Sequence, residues 1–104
     1  MYLSFLFSRH APSISGRWID ADCSVNGDNY GFVLINGGTA RSVNAASPQY
    51  TAWRRCGKTL TLWGCAHGPH DENIDFIETM KIQRVTEREL VLTRSDETFT
   101  FYRG

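Results

Sequence analysis

A chain of 104 residues holds one domain and can bury a core without a metal or a disulfide, though with little stability to spare. With 41% hydrophobic and 21% charged residues it is globular in composition, which excludes intrinsic disorder. Lys plus Arg and Asp plus Glu number 11 each, and a net charge of zero argues against nucleic acid or an anionic membrane as the main partner.

The chain opens on an apolar stretch, Met1 to Phe7. It is far too short to cross a membrane as a helix, no positive charge precedes it and no small-residue cleavage pattern follows. Three readings are open for residues 1–13: a segment plugging one end of the fold with Phe5, Leu6 and Phe7, a tail, or the remnant of a signal that starts upstream. The last implies the periplasm or cell envelope, the others the cytoplasm. From residue 14 to 104 no stretch holds a helical period, and period-two runs recur between turn residues. They predict strands over 14–20, 30–35, 39–44, 50–55, 59–64, 74–85, 89–94 and 98–103. Asn36-Gly37-Gly38 between the second and third is a strong hairpin signal, because both central positions tolerate positive φ. A polar loop is expected over 65–73.

Eight strands with short links predict an all-β, up-and-down antiparallel barrel, since closure removes the edges of a small meander. Successive links in a meander alternate ends. The tight links 36–38, 56–58 and 86–88 therefore share one end. The longer links 21–29, 45–49 and 65–73 share the other, which is the expected mouth.

The chain reads Gly16-Arg17-Trp18, then Gly31-Phe32-Val33-Leu34-Ile35-Asn36-Gly37-Gly38-Thr39-Ala40. Trp53 and Gly57-Lys58-Thr59-Leu60-Thr61-Leu62 follow, and Leu90-Val91-Leu92-Thr93-Arg94 and Phe101-Tyr102-Arg103 close it. In order and spacing this resembles the small bacterial lipocalin-like domains of the lipocalin and fatty-acid-binding superfamily. The resemblance implies a structural role for Gly16 and Trp18: the tryptophan packs across the closed end with a late-strand arginine over it. Arg103 is the best match for that arginine and Arg94 the second. It also implies non-enzymatic binding of a small hydrophobic molecule. Three cysteines and a His-rich loop depart from the family pattern.

Candidate ligand-binding residues are those whose alternation allows them to point inward or toward the mouth: Phe32, Leu34, Trp53, Leu62, Phe76, Glu78, Met80 and Phe99. Eight strands enclose either a packed core or room for one small ligand. A cavity above roughly 300 Å³, open at the long-loop end, favours the binder; an occluded interior favours a solid module that contacts another protein, or itself, through its rim. Glu78 shares a face with Phe76 and Met80, so its carboxylate must meet an arginine, line the mouth, or be turned outward by a bulge. Cys23, Cys65, His67 and His70 fall at one end and are weak candidates for a metal set, although no standard zinc motif has this layout. The alternatives there are a Cys23–Cys65 disulfide, which would suit an exported protein, and free thiols. Cys56 lies at the opposite end and is expected to be unpaired. A nucleophile pair of Cys65 with His67 or His70 has nothing to orient the base, and no catalytic residue is assigned. Arg54-Arg55 alone does not make a nucleic-acid face, and nothing in the residues asks for a cofactor.

Overall fold

The computed structural model describes residues 13–24, 30–44 and 48–104, the side chains of 23 and 24 excepted. The expected plug of Phe5, Leu6 and Phe7 lies outside these residues. Eight antiparallel strands close a barrel in sequence order: β1 (Gly16–Asp20), β2 (Gly31–Ile35), β3 (Thr39–Val43), β4 (Gln49–Cys56), β5 (Thr59–His67), β6 (Asn73–Val85), β7 (Glu89–Arg94) and β8 (Glu97–Arg103). β1 closes on β8, with Trp18 opposite Arg103 and Asp20 opposite Phe101. A short helix, α1 (Ala21–Ser24), follows β1. Strand periodicity did not anticipate it. The Asp20 carboxylate accepts the Asp22 N–H at 2.9 Å, a local side-chain bond that turns the chain out of the strand.

Alternation along the strands builds the core. Trp18, Phe32, Leu34, Leu60, Leu62, Leu90 and Leu92 are buried, each separated from the next inward residue of its strand by one outward residue. Tight turns sit at one end. Gly37 and Gly38 both have φ of 102°, which leaves the Asn36-Gly37-Gly38 turn to glycine. The Thr86 hydroxyl accepts the Arg88 and Glu89 N–H groups in the link between β6 and β7.

Two differences from the expected strands bear on function. β5 runs on to His67 and β6 starts at Asn73, so Cys65, Ala66 and His67 belong to a strand and the loop shrinks to residues 68–72. The two strands pair without a break from Thr59 opposite Lys81 to His67 opposite Asn73, and the loop is closed by the Gly68 N–H donating to the Glu72 carbonyl at 2.8 Å. The polar residues that suggested a loop sit on a hairpin rim, where strand pairing needs no apolar side chain. The second difference is a register shift between Tyr50 and Ala52 on β4; the long strand β6, whose length left room for a bulge, also shifts register between Ile82 and Arg84.

Candidate functional site

The closed end fixes which end is open. Trp18 is fully buried, and its indole Nε1 donates to the Ile14 carbonyl at 2.9 Å, so the segment before β1 folds across the barrel end. The Arg103 guanidinium lies over the indole, with Cζ 4.2 Å from the ring centroid. It also donates to three carbonyls, those of Glu87 at 2.6 Å, Ser15 at 2.7 Å and Ser13 at 3.3 Å. Gly16 permits this on two counts. Its φ is 126°, and a Cβ there would meet the Arg103 Nη1. Arg94, the second candidate for this position, lies at the far end of its strand beside Glu78.

At the long-loop end the interior opens into a cavity of about 220 Å³. Phe32, Met80, Phe99 and Phe101 form apolar walls, and Asp20, Tyr30 and Pro48 stand at the mouth. The volume is below the roughly 300 Å³ expected of a drug-sized site, yet the interior is not occluded. Three polar side chains converge in one wall. Glu78 forms an ion pair with Arg94, whose other nitrogen Nη2 lies 3.5 Å from Glu97. The Tyr50 phenol shares this wall with Glu78. Burial, joined by the nearby Glu78 charge against the smaller opposing influence of Arg94, pushes the phenol from 10.0 up to about 12. Arg94 also lies over the Phe99 ring, 5.6 Å from its centroid. These aromatic and charged groups form one continuous surface.

Of the eight expected ligand residues, Phe32, Glu78, Met80 and Phe99 line the cavity. The other four do not. Leu34 and Leu62 are fully buried in the core beneath it. Trp53 points inward nearer the tight turns, where its Nε1 donates to the Ile35 carbonyl at 2.8 Å. Phe76 packs edge-on against Tyr50, with centroids 5.9 Å apart, over the bare backbone of Gly64. No bulge turns Glu78 outward: it stands in regular register opposite buried Leu62, and the β6 shift comes later, past Ile82. Tyr50 was missed for a specific reason. Strict alternation back from Trp53 points it outward, and the shift between Tyr50 and Ala52 reverses that face. Arg94 and Asp20 end their strands, where alternation carries least information.

Cys65 faces the outer side of β5 as a free thiol and donates to the Asp75 carboxylate at 3.0 Å. That bond, more than burial, raises its pKa above the usual thiol value. The Cys23 side chain, the other half of the disulfide considered for this end, lies outside the described residues. His67 approaches Asp71 at 3.9 Å, and His70 is exposed. Among the described residues no three His, Cys, Asp or Glu side chains gather as a metal set. Cys56 is a free, exposed thiol.

A family model described as lipocalin-like matches residues 10–104. The fold is similar to the crystal structure of a lipocalin-like protein from Bacteroides thetaiotaomicron VPI-5482, with a TM-score of 0.81 and 32% sequence identity over 90% of this chain and 99% of that one. No curated protein matches.

Proposed function

The chain belongs to the lipocalin-like family, and on that premise we propose that it is a non-enzymatic binder of a small, largely apolar molecule. The ligand enters at the long-loop end and sets its polar group against Tyr50, Glu78 and Arg94. The observation that carries this reading is a cavity of about 220 Å³ with Phe32, Met80, Phe99 and Phe101 as apolar walls and Tyr50, Glu78 and Arg94 converging in one of them. A few placed polar groups among apolar walls are the usual composition of a small-molecule site. A cavity of about 220 Å³ favours a compact occupant over a long acyl chain.

Native mass spectrometry of the protein purified from its own host tests this. A retained small molecule is expected, and Met80→Trp, which fills the cavity, releases it. A spectrum of bare protein, unchanged by the variant, counts against the reading. One observation favours a second reading, a module that contacts protein. Ile77 is 67% exposed on the outer face, opposite Trp63 on β5. A spectrum of dimer or partner complex with no small molecule supports that alternative.

A further inference from the structure

We propose that the cavity selects a cationic ligand, an apolar body carrying an ammonium group, and turns carboxylates away. This rests on the binding reading above and adds the ligand's charge to it. The walls hold two carboxylates, Asp20 and Glu78, against Arg94, the one lysine or arginine among the described residues that line the cavity. Arg94 is itself divided between Glu78 and Glu97. A carboxylate ligand would have to compete with both for that guanidinium while standing beside Asp20, and like charges at such a site repel. An ammonium meets the opposite situation, because its positive charge offsets the surplus of acids.

The rest of the surface agrees. Five rings, those of Tyr30, Phe32, Tyr50, Phe99 and Phe101, line the cavity and offer faces of negative quadrupole to a cation. One of them already holds the Arg94 guanidinium. Among the described residues, the links at this end, 21–24, 30, 44, 48, 68–72 and 95–96, contain Asp22, Asp71, Glu72 and Asp96 and neither lysine nor arginine. An approaching cation is drawn in and an anion slowed.

Calorimetric titration of the protein at neutral pH with hexylammonium, hexan-1-ol and hexanoate, which share one apolar body, tests the proposal. Hexylammonium is expected to bind about tenfold more tightly than hexan-1-ol, with hexanoate weakest, and raised salt narrows the spread. Glu78→Gln lowers hexylammonium affinity and raises that of hexanoate, each measured relative to hexan-1-ol with the same variant. Asp20→Asn moves both in the same direction and serves if Glu78→Gln disturbs the fold. Equal binding of all three, or tighter binding of hexanoate, overturns the charge preference and leaves the apolar-binding reading intact. Binding of none of the three overturns both.

Discussion

Gly16 shows how one residue without a side chain can govern the packing of a large one. Its φ of 126° is open to glycine and costly for any other residue, and the space a Cβ would fill is taken by Arg103. Arg103 in turn stacks on Trp18 and ties the segment of Ser13 and Ser15 to the last strand. Gly16→Ala is expected to destabilise the protein by about 2–4 kcal/mol, combining backbone strain with a displaced cation–π contact. In an Arg103→Ala background the same change should cost less, because the contact is already gone and the strain alone remains. Urea unfolding of the four proteins in that cycle measures the coupling. Strict additivity would show that the glycine and the arginine act separately.

At the scale of strands, the β4 register shift matters most, because it turns Tyr50 inward beneath Glu78. The phenol is neutral at ordinary pH in both folded and unfolded chains. Its folded pKa of about 12 lies above the ordinary tyrosine value of 10.0, so the folded state keeps its proton where the unfolded chain gives it up. Stability from this source is therefore fully present below pH 10 and is lost as pH rises toward 12. Tyr50→Phe should remove that part of the alkaline decline. Denaturant midpoints of both proteins through this window give the comparison, and parallel curves would mean that the phenol is not held in this way. The same shift marks the limit of what periodicity reveals. Strand number, order and the ends of the links follow from alternation and turn residues, because both are local. The inward placement of Phe32, Met80 and Phe99 could be read because their strands keep register around them. Tyr50 and the extension of β5 to His67 were not, since a bulge and a pairing between distant residues leave little local trace. Glu78 was read as inward-capable, but its partner Arg94 lies 16 residues further on, and the pairing of β6 with β7 brings the two together.

Closure also distributes strength unevenly around the molecule. β5 and β6 pair from Thr59 opposite Lys81 through His67 opposite Asn73. β3 and β4, by contrast, pair at Thr39 opposite Ala52, near the tight turns, where the Trp53 N–H donates to the Gly38 carbonyl at 2.9 Å. Toward the mouth a side chain takes over from the backbone ladder: the Ser42 hydroxyl donates to the Pro48 carbonyl at 2.8 Å and accepts the Tyr50 N–H at 2.9 Å. Ser42, Pro48 and Tyr50 all line the cavity, so the thin seam and the binding wall coincide. A barrel opens locally where its ladder is shortest, and segments that gate a site come from the low-stability end of the distribution. Amide hydrogen exchange is expected to be fastest along β3 and the mouth half of β4 and slowest between β5 and β6. An occupant of the cavity should slow the β3 and β4 amides selectively, because it can stabilise only the closed form to which it binds. Exchange followed residue by residue by NMR separates the outcomes. A seam as protected as β5 against β6, or a ligand effect spread evenly over all eight strands, would mean that the barrel opens only by global unfolding and that the occupant enters through the mouth without strand separation.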